Sequence, residues 1–437
     1  MATYTNDIFN AESRAFTAKI DVYFTATPVS FYSTDYIMDM YVNEDVFSTS
    51  TNVLGDIAVN TLDIALYNDS RRFTPDNVSS PYYGKIVSGI KIIAYIKATH
   101  VVGLDWLPLG TFYMSTWKPA QGRPVINVFA QSKMQKVLDA DSAGLQVLNN
   151  RTFKQLLTNY FSVLGIPAVI SDSLSTVVPY GQLEKTNRDA LNTIVQAAGA
   201  MCYADRLDNI QIIPIIAVRT SLATLTDDDQ IKNVSAAQSD VYEYAGTKLT
   251  YYLPVLAHDK LIAEANELAI ASGTQQHSPI SFSESPVAYV ENVSTQTAAT
   301  QVKVNNYAYD AWTISINTEA TEACITDLKV YGAAVDFTAT ELSDNVANMF
   351  EYANQLIQTT TYAQTFKTLL NKIATCQKPV ITVEARGNLL LQLNTRVHIQ
   401  SSRYAVDFDG IVVANKIAYT GGLACTMTLM DASLFTA

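Results

Sequence analysis

The sequence predicts a mainly β protein with a small α/β unit inserted among its strands and a helical segment late in the chain. Three observations carry this. The 437 residues are rich in Thr, Val and Tyr, with 25 Tyr, and β-branched and aromatic side chains suit a pleated surface. Short runs that alternate apolar and polar residues recur between turn clusters. Helical spacing of apolar residues is confined to 150–200 and 339–375. A chain of this length exceeds what one hydrophobic core usually supports, so more than one domain is expected.

Residues 16–140 read as strands. Thr61-Leu62-Asp63-Ile64-Ala65-Leu66-Tyr67 alternates cleanly, and Phe16–Phe24 does so in part. Further strands are expected at 90–98, 109–117 and 124–131, separated by Asn68-Asp69-Ser70, Ser79-Ser80-Pro81 and Gln121-Gly122-Arg123-Pro124. Many short strands of this kind indicate a barrel or a sandwich.

The pattern then changes. Phe153, Leu156, Leu157, Tyr160, Phe161 and Leu164 fall on one helix face. Thr152 suits the N-cap, Gly165 the position past the end, and Pro167 blocks continuation. A second helix is expected from Thr186, with Asp189 at capping-box spacing, a stripe of Leu191, Ile194, Val195 and Ala198, and Gly199 at its end. Met201–Arg206 and Ile210–Ile216 follow as a hairpin turning at Leu207-Asp208-Asn209.

Residues 240–337 return to β character, with strands expected at Trp312–Ile316 and Ile325–Tyr331. Residues 339–375 carry a helical face of Leu342, Val346, Met349, Phe350, Ala353, Leu356 and Ile357, continued by Phe366, Leu369, Leu370 and Ile373, with a break at 358–361. Strands resume at 379–386, 389–399, 404–419 and 423–430. The expected domains are therefore 1–145, 146–235, 236–338 and 339–437.

Composition excludes several functions. The formal net charge of −12 argues against nucleic-acid binding, whose affinity comes largely from cations on phosphates. The charged fraction is 16%, low for a soluble domain, and a weakly charged, Tyr-rich surface suits protein–protein contact. Cys202, Cys324, Cys376 and Cys425 lie far apart without a CxxC pair, so they read as reduced, buried apolar residues rather than zinc ligands or a disulfide framework. The N-terminus has no signal-peptide pattern, and no apolar run reaches membrane-helix length.

The segment 61–90 carries a more specific pattern. Leu66, Asn68, Arg72, Phe73, Pro75, Asn77, Ser80, Pro81, Tyr82 and Tyr83 resemble the signature of hub and tail-tip proteins of tailed bacteriophages. Phe73 and the Tyr82–Tyr83 pair would pin this loop back on the strands. Leu109–Met114 with Trp117 resembles the next strand of that family, and Val125–Leu138 the one after, although Ser132 replaces the usual acidic residue. Residues 152–216 resemble its inserted α/β domain, and 379–430 its closing barrel. The latter rests on Ile381, Val383, Glu384, Arg386, Gly387 and Asn388, and on Tyr419, Gly421, Gly422 and Leu423. Leu393-Asn394-Thr395-Arg396-Val397 departs from the family turn in having neither Gly nor Asp. The resemblance covers most of the chain and is weakest over 240–300.

It implies two β-barrel-like hub domains, a small helix–hairpin domain between them, and a homotrimer around the tail axis. Implied partners are the tail tube or distal tail protein, spike, fibre or tip proteins, and the tape measure protein. The implied place is the virion tail, baseplate or tip, after assembly in the host cytoplasm, with the genome passing through the ring at ejection.

Chemistry-bearing patterns are sparse. His100, His258, His277 and His398 stand in no HExxH or Cys cluster. His258-Asp259 reads as a solvated pair, as do Glu264 with Glu267 and Glu319 with Glu322, whose spacing is no more than a surface shows. Asp227-Asp228-Asp229 reads as a turn, being too short for a calcium loop. Trp117 and Trp312 read as core, and Trp106 as a hairpin residue open to a partner. No catalytic, metal or cofactor residue is assigned. The chain stops soon after the closing strands, without the wall-digesting or receptor-binding extension that tip proteins carry. The expectation is thus a structural, non-enzymatic hub. The alternatives are a tail-associated cell-wall hydrolase and a receptor-binding tip protein. A charge placed in the strand Lys91–Tyr95 should harm folding where the position is core and assembly where it is interface.

Overall fold

The computed structural model describes residues 3–48, 54–140, 148–181, 187–227, 231–237, 244–273, 275–283, 287–295, 302–309, 313–374 and 380–435. Thr186, Asp228, Asp229, Trp312 and Cys376 lie outside them, as does the His277 side chain. No described helix is long and apolar enough to cross a membrane.

The strands expected in 16–140 are present. Thr61–Tyr67 matches its expected bounds, and Phe16–Val22, Lys91–Ala98, Leu107–Pro119 and Val125–Gln131 differ by a few residues. Lys91–Ala98 alternates half-buried and buried side chains throughout, so Ile92 and Ala94 are core while Lys91, Ile93 and Tyr95 face outward. Closed barrels, however, are not seen among the described sheets. Strands from both ends of the chain instead join one 13-stranded sheet.

The cause is visible in one strand. Val406–Tyr419 is 14 residues long, well beyond the usual five or six. One of its edges pairs with Leu423–Asp431. The other is shared, first by Arg396–Ser401 and then, past a register shift at Val412/Ala414, by Ile37–Asp45 from the N-terminal part. A strand that long supplies pairing groups to both halves, and the sheet runs on instead of closing.

The inserted unit forms as expected. The helix Phe153–Val163 opens with a capping box in which Gln155 N donates to Thr152 Oγ1 and Thr152 N to Gln155 Oε1. Gly165 past its end has φ +64°. The second helix, Asn187–Ala197, is followed by Gly199 with φ +58°. A Cβ at Gly199 would meet Leu369 Cδ2 at 2.9 Å, a contact that the flexible leucine can relieve, so it is the backbone sign that calls for glycine there. Ala200–Ala204 and Ile210–Pro214 form the hairpin, joined in parallel by Ala168–Ile170.

Two late expectations are corrected. Residues 339–357 are not helical: Cys324–Ser343 is a strand that includes Leu342, and Met349–Ala353 is another. Leu342 pairs with Leu249 across a long ribbon, and Tyr352 with Leu249 on its other side, so a tertiary partner overrides the local helical spacing. The second half of that reading holds: Thr360–Ala374 is a helix burying Phe366, Leu369, Leu370 and Ile373 against the inserted unit. Residues 389–395 are a turn segment rather than the start of a strand, which begins at Arg396. Asn388 Oδ1 accepts from Leu390 N, and Asn394 has φ +65°, geometry that a ladder does not accommodate.

The least anticipated feature is the ribbon itself. Gly246–Ile270 and Cys324–Ser343 run antiparallel with three register shifts. At about 3.3 Å per residue, 25 residues span on the order of 70–80 Å. Its root, through Leu249 and Tyr251, lies in the core of the inserted unit. Its far part carries a separate small core of Ile262, Ile280, Ile314, Ile316, Leu328 and Val330.

Candidate interaction surfaces

Three junctions fix how this molecule presents its surfaces. The first begins in the strand Ile37–Asp45, where Met40 and Val42 are buried and Glu44 follows on the same inward face. A buried carboxylate needs a charged partner. It finds one in Arg206, from the turn of the inserted hairpin. Arg206 Nε and Nη2 donate to Glu44 Oε1 and Oε2 at 2.6 and 2.7 Å, and both side chains are 4% exposed. Burial works against the Arg206 charge, and the Glu44 carboxylate more than offsets it, so its pKa is raised. The remaining donors of Arg206 reach the carbonyls of Leu389 and Leu391 at 2.6 and 3.3 Å. Asn415 Nδ2 donates to Glu44 Oε2 and to the Leu391 carbonyl.

This junction explains the 389–395 segment. Leu389, Leu391 and Leu393 are all buried, each in a different core: that of the N-terminal strands, that of the C-terminal strands and that of the inserted unit. Arg206 accepts the role of ladder partner for the carbonyls that this path leaves unpaired. Around it, Tyr113 Oη donates to Asp208 Oδ2 at 3.0 Å and Lys133 Nζ to Asp208 at 2.8 Å. Burial first, and Asp208 second, push the Tyr113 hydroxyl up to about 12. Asn60 Nδ2 donates to the Ala204 carbonyl, and Ile57 N to Asn192 Oδ1. The inserted unit is thereby tied to the sheet at several points.

The second junction is the loop after Thr61–Tyr67. Phe73 N donates to Asn68 Oδ1 at 2.8 Å, a bond that spans five residues and so closes the loop rather than the expected Asx-type turn, and Asn68 Nδ2 donates to Thr74 Oγ1. Phe73 and Tyr82 are buried and stack 5.9 Å apart, with Phe31 edge-on to both. Arg72 donates to the hydroxyls of Tyr36 and Tyr82 at 2.7 and 3.2 Å, and Trp117 Nε1 to the Phe73 carbonyl at 2.8 Å. Phe73 and Tyr82 pin the loop as expected, and Trp117 is core. Tyr83 is not part of the pin: it is 51% exposed, as are Val78 and Val87 nearby in sequence, at 74% and 57%.

The third is the ribbon with its outer strands. Gly332 permits their close approach, since a Cβ there would lie 2.4 Å from the Tyr289 carbonyl oxygen. Beside it, His258 Nδ1 lies 2.9 Å from Glu291 Oε1 and 3.2 Å from the Tyr289 hydroxyl. His258-Asp259 thus has an acidic partner that sequence spacing did not reveal, on a surface where the His258 side chain is 53% exposed. The edge strands here resist pairing with other chains: Val287–Thr295 carries two register shifts, Val302–Tyr309 one, and Gln275–Ser281 contains Pro279.

The remaining candidates from the sequence stay apart. Glu264, Glu267, Glu319 and Glu322 are exposed. Asp227 accepts from Ser401, Ser402 and Arg403 N, bonds that hold its carboxyl below the usual range. Cys202 and Cys425 are buried, and Cys324 is half-buried. Trp106 is half-buried, 5.9 Å from Tyr32 and 5.4 Å from Lys19 Nζ. Among the described residues, no three His, Cys, Asp or Glu side chains are grouped so as to hold a metal ion.

Neither a family model nor a curated protein matches the sequence. Among solved structures, the chain is similar to a tail protein from Neisseria meningitidis MC58, with 8% identity, 96% of this chain and 98% of that chain covered, and a TM-score of 0.57. It is similar also to the 43 kDa tail protein of prophage MuSo2 from Shewanella oneidensis, with 11% identity, 96% and 99% coverage, and a TM-score of 0.56. At these identities the likeness is one of fold, and it extends over nearly the whole of each chain.

Proposed function

We propose that this chain is a structural subunit of a bacteriophage-type tail: a baseplate or tail-tip hub that assembles with copies of itself, three to a ring, between the tail tube and the spike, fibres or tip. The observation that carries the reading is the fold likeness to two tail proteins across 96% of the chain. The motif order from Leu66 to Leu423 points the same way. The internal architecture suits such a part. Buried polar ties such as Glu44–Arg206 fix the inserted unit on the sheet, and the guarded ribbon edges favour contact through side-chain faces over open-ended strand pairing. Closed rings require one defined, self-consistent interface, and a rigid protomer provides it.

In this role the chain works by position rather than by bond chemistry. The ring joins tube to tip, and the genome passes through its opening at ejection. Negative-stain electron microscopy of the purified protein tests this. Closed three-fold rings support it, and ring-free particles that clear a cell-wall zymogram would replace it with the hydrolase reading.

A further inference from the structure

The outward face of the 13-stranded sheet carries side chains that no core of this chain takes up. The strand register shows that the face is continuous. Lys91, Tyr113, Gln131, Thr61, Asn43 and Lys416 lie opposite one another in turn, from Lys91–Ala98 across to Val406–Tyr419. The inserted unit borders this row, with Asp208 and Lys136 against Tyr113. On the same face stand Ile93, Tyr95, Phe129, Tyr41, Tyr67 and Val125. None of the six belongs to a hydrophobic core of the described residues. The solvated face of an antiparallel sheet is ordinarily polar, and apolar side chains gathered on one surface mark an interaction site.

The face is also polarised in charge. Lys19, Lys91, Lys97 and Lys118 stand on three neighbouring strands, where Asp21, held by Lys19 at 2.9 Å, is the single outward acid. Lys91, Lys97 and Lys118 make no ion pair among the described residues. Asp39, Asp45 and Asp63 lie on the two strands beyond. A cationic, aromatic area of this kind stands out in a chain of formal net charge −12.

The complementary charge sits on the ribbon and its outer strands. Residues 246–343 hold eleven Asp and Glu against four Lys and no Arg. Glu264, Glu267 and Glu322 are exposed and make no ion pair among the described residues. Val255, Leu261, Tyr289, Tyr307 and Ile325 are exposed with them. The far part packs a core drawn from 262–334 alone, so it shares none with the sheet of its own chain.

We propose, on the basis of the ring reading above, that the ribbon of one copy lies across the outward sheet face of the next. Seven strands about 4.8 Å apart and about seven residues long present roughly 34 by 23 Å. The roughly 800 Å² this gives is one partner's share of a stable interface, and a ribbon on the order of 70–80 Å long spans it. A ring contact is head-to-tail and joins two different surfaces. Two sheet faces meeting each other would set lysines against lysines, whereas sheet against ribbon pairs them with acids.

Zero-length carbodiimide crosslinking of the full chain tests this. Unlabelled and nitrogen-15-labelled protein are equilibrated together, so that mass spectrometry separates links between chains from links within one. Mixed-label links should join Lys91, Lys97 or Lys118 to acids of 246–343. Lys91→Glu with Lys97→Glu should weaken self-association at least tenfold in sedimentation velocity, and Glu264→Lys with Glu267→Lys should do the same. If charge reversal lowers the melting temperature, the crosslinks of the unaltered chain decide. A wild type of three-fold mass without mixed-label links between these surfaces overturns the contact and leaves the ring standing, as does one whose mass neither charge-reversed pair changes. A wild type that stays monomeric overturns the ring and this contact with it.

Discussion

At the residue scale, Arg206 is where three cores meet. It holds Glu44 from the N-terminal strands and the carbonyls of a segment whose leucines enter all three. Removing one partner of a buried pair leaves the other uncompensated, at a cost of about 3–5 kcal/mol. Glu44→Gln should lose stability of that order in urea unfolding, and Arg206→Met at least as much, since the Leu389 carbonyl also loses its Arg206 donor and the Leu391 carbonyl keeps only Asn415. The double variant should cost less than the two single losses added; strict additivity would show that the groups are not coupled. No strand is expected over 37–45 from the sequence, although a period of two is there. Met40, Val42, Glu44 and Val46 keep a period of two, which places an acidic side chain on the buried face. Nothing near Arg206 in sequence marks it as the partner, because the pairing spans 162 positions. Leu389, Leu391 and Leu393 also show why periodicity misleads: their alternation is real, but it distributes side chains among three cores instead of along one sheet face.

At the element scale, local signals were reliable where local forces decide. The Thr152 cap, Gly165, Gly199 and the hairpin at Asp208 all lie where the sequence puts them, because capping and left-handed backbone are properties of a few consecutive residues. Residues 339–357 failed for the opposite reason. Their apolar spacing fits a helix, yet the 25-residue strand Gly246–Ile270 offers pairing on both edges. Asn345 and Asn348, both at positive φ, turn the chain between its two neighbours. Gly332 tests the ribbon. A methyl group there meets the Tyr289 carbonyl and Ile262, and overpacking costs about 1–3 kcal/mol. Gly332→Ala should speed amide hydrogen exchange in Val287–Thr295 while leaving Lys91–Ala98 unchanged. Unaltered exchange in Val287–Thr295 would mean that the outer strand does not depend on that close approach.

At the scale of the whole molecule, the mainly β class and the inserted α/β unit could be read from composition and period, but the joining of the chain's two ends into one sheet could not. That join rests on Ala414–Tyr419 lying beside Met40–Asp45, a contact between residues more than 350 positions apart, and pairing choice at that range depends on the assembled core. The consequence is a single framework to which the inserted unit is tied through Glu44, Arg206 and Asn415. A subunit built this way can hold its contact surfaces in fixed relation, which ring closure demands. The most direct measurement is the solution mass by light scattering after size exclusion. A species near three times the 47.9 kDa chain is the expected result. A chain that stays monomeric across the concentration range, or one that settles at six copies, would contradict the three-fold hub.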